Sequence, residues 1–162
     1  MQKYSSKLLF STSATDRNFL STELTLMKKR FFIGWLAVYA LNSCTGYVIH
    51  HLILGRTYIN LMPVLHSQDI KSKIWAFIIS SITGSFFFTL IYSSWKKRGA
   101  STEGLTYGLF IGLWMGTNMA LNTYASTGLV PFSLAIQWLI YSVVQYSLAG
   151  YLLAIVYNYK KS

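Results

Sequence analysis

The chain has 162 residues, of which 53% are hydrophobic and 17% aromatic, while only 11% are charged. Soluble domains carry about 25% charged residues, and a chain this short cannot bury so much apolar surface within its own fold. The composition therefore excludes an ordinary water-soluble domain and favours a single domain embedded in a membrane.

The net charge of +10 is concentrated in short clusters within residues 28–30, 71–73, 96–98 and 160–161. Each cluster borders an apolar stretch, which is where basic residues set the orientation of membrane helices. A nucleic-acid-binding surface would instead spread its basic residues over one face of a fold. We therefore expect membrane lipids and integral membrane proteins as partners, and no nucleic acid.

Residues 1–30 form a polar, basic segment that is rich in serine and threonine. The segment lacks the apolar core of a signal peptide, so we expect it to stay in the cytoplasm. Met27, followed by three basic residues, would make a natural start of its own. Residues 1–26 are therefore either a natural part of the chain or an upstream extension, and the transmembrane domain is predicted over residues 31–162.

Four apolar stretches follow, each near the roughly 20 residues that a helix needs to cross a bilayer. They lack the period-2 alternation of barrel strands, so we predict an all-α fold, an integral membrane bundle of four transmembrane helices. The predicted spans are residues 31–54, 74–95, 105–126 and 132–157.

The connections and flanking charges predict the topology. Only residues 127–131 join the third span to the fourth, which requires an antiparallel hairpin. With four spans, both termini lie on the same side as the second connection, and that side carries most of the lysines and arginines. The excess of positive charge predicts that this side is cytoplasmic.

Small residues recur on two predicted helices at spacings that suit close packing. A row at every fourth residue of the third span forms one smooth strip, against which a second backbone can lie. A second row at every seventh residue of the fourth span would form a seam. The rows could serve packing within the bundle or docking on another subunit. The two rows are Gly104, Gly108, Gly112 and Gly116, and Ala135, Ser142 and Ala149.

Amides and one tyrosine are predicted at membrane depth. An amide that faces lipid loses its hydrogen bonds at a cost of several kcal/mol, about 2–7 in apolar media. We expect hydrogen bonds between helices, with a polar cavity for a small solute or lipid headgroup as the alternative. The residues are Asn42 in the first span, Asn118 and Asn122 in the third, and Gln137, Tyr141 and Gln145 in the fourth.

The histidines lie at the outer end of the first span and in the connection that follows. His50 or His51 could join His66 and Asp69 in a metal site at the membrane surface. An axial ligand for a porphyrin or a quinone-site residue is the other alternative. Since the remaining spans contain no histidine, we expect interfacial anchoring and no bound cofactor.

Motifs for catalysis are missing from the sequence. There is no Ser-His-Asp arrangement, P-loop or dinucleotide fingerprint. The acidic residues all lie outside the predicted spans, whereas proton pumps and cation carriers usually keep a carboxylate at membrane depth. These residues are Asp16, Glu23, Asp69 and Glu103. We therefore predict that the protein is not an enzyme, with chemistry at the outer histidines as a minor alternative.

Residues 103–109 (EGLTYGL) and 131–138 (PFSLAIQW), together with residues 50–54 and Tyr58, carry a resemblance. Over residues 27–160 the chain resembles small bacterial four-helix inner-membrane proteins of unassigned function. The resemblance implies the fold and a bacterial inner-membrane location.

Two functions fit these features. The first is a small accessory or stabilising subunit of a larger membrane complex, with respiratory and photosynthetic complexes as candidates. The alternative is a carrier for a small solute or lipid, with a polar path between the third and fourth spans.

Overall fold

The computed structural model describes residues 14–61, 71–96, 100–127 and 130–158, and these residues are almost entirely helical. No strand occurs among them, which confirms the all-α prediction. The α-helices are α1 (Ala14–Tyr47), α2 (Gly55–Leu61), α3 (Ile74–Trp95), α4 (Ser101–Thr127) and α5 (Phe132–Asn158). A π-helical segment, Val48–Ile53, continues α1, and a 3₁₀ turn, Lys71–Lys73, leads into α3.

The first helix is longer than the predicted span. It begins at Ala14, so part of the segment predicted only as polar and basic is helical. No glycine or proline occurs between residues 14 and 33, so nothing in the local sequence breaks the helix before the apolar stretch.

Within the described residues, three helical segments are long and apolar enough to cross a membrane: Leu24–Ile53, Ile74–Trp95 and Phe132–Asn158. They correspond to the first, second and fourth predicted spans, as expected of an integral membrane protein. Helix α4 is as long as α5, with 27 residues, but it is more polar and is not among the three.

Helix α5 occupies the centre of the described fold. It packs along α4 on one side and against α1 on the other, while α3 packs mainly on α1. The buried residues form two clusters, one at each end of the bundle. Tyr92, Tyr107 and Leu153 belong to the cluster near the end of α5, and Leu54, Ala120 and Leu134 belong to the other.

Many large apolar side chains point away from this core. On α1 and α3, Leu36, Trp75 and Phe77 are each 60% exposed or more. Apolar surface on this scale is not tolerated in water, so lipid or other membrane proteins must cover it.

Candidate functional site

The glycine row of α4 faces α5 and brings the two backbones into contact; we call this contact the glycine seam. A Cβ atom on Gly104 would collide with the carbonyl oxygen of Gly150, and one on Gly108 with that of Tyr146. At Gly112 the added atom would lie 2.8 Å from Val143 Cα. Even an alanine is therefore too large for these positions in the present geometry.

The seam is reciprocal at Gly150. A Cβ atom there would collide with the carbonyl oxygen of Gly104 and would lie 3.0 Å from the nitrogen of Gly108. The period-seven row on α5 did not include Gly150, although it lies beside Ala149 in sequence. Single-helix periodicity could not identify it, because its role depends on which residue of α4 lies opposite.

The predicted small residues of α5 lie in or beside the core. Ala135 and Ala149 are fully buried, one in each core cluster. Ser142 is half-buried, and its Cβ lies 2.9 Å from where a side chain on Gly116 would begin. Because these three residues are small, α4 and α5 can pack closely along their length.

One pair of the predicted polar residues makes an interhelical contact. Gln145 Nε2 donates to the backbone oxygen of Asn42 at 3.2 Å, and Asn42 Oδ1 lies 3.4 Å away. This contact joins α5 to α1. Tyr141 and Gln145 also line a small cavity of about 20 Å³, which has room for about one water molecule. Gln137 is half-buried.

The other two amides face outward. Asn118 and Asn122 are exposed on α4, and the Nδ2 of Asn118 donates to the Trp114 carbonyl of its own helix at 2.9 Å. In the described part of the chain, neither amide reaches another helix. The structure thus does not place Asn118 and Asn122 on a common path with Gln137, Tyr141 and Gln145.

His50 lies in the π-helical segment and contacts residues that sequence analysis did not connect with it. Its Nδ1 lies 2.7 Å from the hydroxyl of Tyr58, and the two rings stack at 5.9 Å. Trp138 Nε1 donates to the same hydroxyl at 2.8 Å. Burial raises the pKa of Tyr58, so this hydroxyl stays neutral. Its two contacts join the π-helical segment, α2 and α5.

The other histidines are not part of this contact. His51 is exposed and packs on Tyr47, with ring centroids 4.8 Å apart. His66 and Asp69 lie outside the described residues. Within the described residues, no group of three or more metal-ligating side chains occurs. The metal and pigment hypotheses therefore remain predictions.

The chain matches no protein-family model, no curated protein and no solved structure.

Proposed function

We propose that the protein is a small non-catalytic accessory subunit that docks the outward face of α4 on another integral membrane protein. One observation carries this proposal: Asn118 and Asn122 are exposed, one turn apart, on the face of α4 that points away from α5. Further apolar side chains flank them, including Trp114 at 60% exposure and Met115 at 44%.

The proposal includes α4 as a fourth transmembrane span. A helix of 27 residues extends roughly 40 Å, more than the roughly 30 Å of a bilayer core. Helix α4 also runs antiparallel to α5 along its length, since Gly104 meets Gly150 while Ala120 clusters with Leu134. If α5 crosses the membrane, α4 therefore crosses it at the same depth.

At that depth the two amides favour a protein neighbour over lipid. An amide in hydrocarbon without partners costs several kcal/mol, about 2–7 in apolar media, and Asn118 satisfies only part of its bonding capacity within its own helix. A neighbouring helix can supply donors and acceptors, and the small Thr117 between the bulky side chains leaves room for close approach. If a partner protein covers the outward face of α4, lipid still surrounds the exposed apolar side chains of α1 and α3.

The test compares the native assembly of two double variants. We expect wild-type protein from native membranes to migrate in blue-native gels well above its 18.4 kDa, together with unrelated polypeptides. Asn118→Leu with Asn122→Leu should release the chain from this assembly while its helix content and melting temperature stay unchanged. Ser80→Leu with Thr83→Leu, two exposed polar residues of α3, provides the matched control and should leave the assembly intact.

Other results would contradict the proposal. Partner-free wild-type protein from native membranes would do so directly. A purified chain that transports a solute when reconstituted alone, and loses flux in Asn118→Leu, would support the carrier instead.

The proposed topology places both termini and the start of α4 on the cytoplasmic side of a bacterial inner membrane. In a Cys44→Ser background, a cysteine at Ser101 should react only with reagents that enter the cytoplasm. A cysteine at Ser72 should react with impermeant reagents from outside. Labelling of Ser101 from outside would exclude this topology.

A further inference from the structure

A second surface, unrelated to the outward face of α4, lies where residues 24–32 of α1 meet the ends of α3 and α5. These three elements enclose an open groove with a cavity of about 260 Å³. This volume falls below the roughly 300–1,000 Å³ of pockets that enclose a whole drug-sized ligand. The groove therefore suits one end of a longer molecule whose remainder lies outside it.

One wall of the groove is apolar. It is built from four side chains of α1, among them Met27, Phe31 and Phe32. Met27 and Phe32 are each 54% exposed, whereas Phe31 is half-buried with its ring 5.4 Å from that of Phe86. This wall can contact methylene groups without rearrangement of the core.

The groove also contains two cationic side chains, one of them on α1. Lys28 and Lys96 both line the groove, and Lys96 Nζ lies 4.4 Å from the centroid of the Tyr157 ring. Arg30 lies beside them, with Nη1 donating to the Tyr157 carbonyl at 3.2 Å. Among the described residues that line the groove there is no carboxylate. The charge therefore favours an anion over a basic or zwitterionic group.

The groove lies near the ends of three candidate membrane spans, where a cationic site would meet lipid headgroups. Lys28 lies near the beginning of the candidate span Leu24–Ile53, Lys96 follows the end of Ile74–Trp95, and Tyr157 lies near the end of Phe132–Asn158. All three therefore lie at the depth of lipid headgroups, where basic pockets between helices hold phosphate-bearing lipids.

We propose that this groove binds one anionic phospholipid, with the phosphodiester between Lys28 and Lys96 and an acyl chain along Phe31 and Phe32. The inference does not rest on the accessory-subunit proposal, because it uses neither α4 nor a protein partner. The hydrogen bond from Arg30 to the Tyr157 carbonyl holds the end of α5 beside the site. It thereby positions the Tyr157 ring against which Lys96 packs.

The experiment measures lipid retention by the full chain. Protein purified in a neutral detergent is mixed with equal amounts of phosphatidylglycerol and phosphatidylcholine that carry the same acyl chains. Native mass spectrometry then counts each lipid on the protein. We expect the wild type to retain phosphatidylglycerol about tenfold over phosphatidylcholine, as two lysines at headgroup depth should allow.

Two double variants separate a site from diffuse attraction. Lys28→Gln with Lys96→Gln should bring the ratio of the two lipids close to one. Lys29→Gln with Lys73→Gln removes the same charge from positions that do not line the groove, and it should keep the preference. Equal loss in both variants would overturn the proposal, because it would show general electrostatic attraction only.

A third variant and a competitor test the apolar wall. Met27→Trp narrows the groove without changing the charge and should reduce the retained phosphatidylglycerol. Millimolar inorganic phosphate should fail to displace the lipid, since it cannot use the apolar wall; displacement would overturn the lipid assignment. A wild type without preference, as expected if residues 1–13 or a partner protein fill the groove, would overturn it too.

Discussion

Two helix pairs in this protein are held together in different ways. Helices α4 and α5 meet through the glycine seam, where the backbone at Gly104, Gly108 and Gly112 lies directly against the backbone of α5. Helices α1 and α3 meet through rings, with Phe31 and Trp35 packing edge-on against Phe86 at 5.4 and 5.6 Å.

The difference teaches how each interface should respond to mutation. A backbone contact has no flexible part, so an added methyl group must separate the helices. A ring contact can adjust by side-chain rotation. Outside both interfaces there is free space: a Cβ atom on Gly84, the exposed glycine of α3, would meet nothing within 4 Å.

Bulk at the glycine seam gives the largest expected effect. Gly108→Leu should lower the free energy of unfolding by about 3 kcal/mol, because the new side chain collides with the backbone at Tyr146. The measurement is unfolding in mixed detergent micelles, followed by tryptophan fluorescence. Gly84→Leu is the control and should not destabilise the protein. Similar losses at both positions would show that α4 and α5 are not in backbone contact.

The ring interface should give a smaller effect. A double-mutant cycle with Trp35→Leu and Phe86→Leu should yield a coupling energy of about 1 kcal/mol, typical of an aromatic pair. Trp35 also donates through Nε1 to the Ile82 carbonyl at 3.2 Å, so its single substitution should cost more than that of Phe86. A coupling energy of zero would exclude the edge-on contact.

The polar contact between α1 and α5 should give the smallest effect. Asn42→Leu combined with Gln145→Leu tests the 3.4 Å contact between Asn42 Oδ1 and Gln145 Nε2, because the backbone oxygen of Asn42 remains in every variant. The coupling energy should not exceed about 0.6 kcal/mol, the average for hydrogen bonds between membrane helices. The same micelle-unfolding assay measures it. A coupling energy above that of the ring pair would invert the ranking and make this contact a main determinant of the bundle.

The packing face of α4 could be predicted because it depends on one helix and a simple period. Four glycines at steps of four indicate a close contact whatever the partner, and the short connection after Thr127 favours α5 as the neighbour. By the same helix geometry, Asn118 and Asn122 lie on the face opposite the glycine row, and in the structure they are exposed.

Contacts that join distant parts of the chain could not be predicted in this way. The sequence suggests other metal ligands as partners for His50, whereas the structure pairs it with Tyr58, whose hydroxyl also accepts a hydrogen bond from Trp138. That contact requires α2 to fold back beside the π-helical segment, and no periodic pattern signals it. The start of α1 at Ala14 could not be predicted from polarity either, because a polar segment without glycine or proline can still form a helix.

The mutual fit of Gly104 and Gly150 limits how this interface can evolve. When a substitution introduces a larger side chain at an ordinary contact, a second substitution to a smaller residue opposite it can compensate. Here each partner is already the smallest amino acid, so no second substitution can compensate for the first. The two positions should therefore both remain glycine in related chains. Two glycines 46 residues apart, with a third four residues after the first of them as Gly108 is here, would be a signature for recognising such chains.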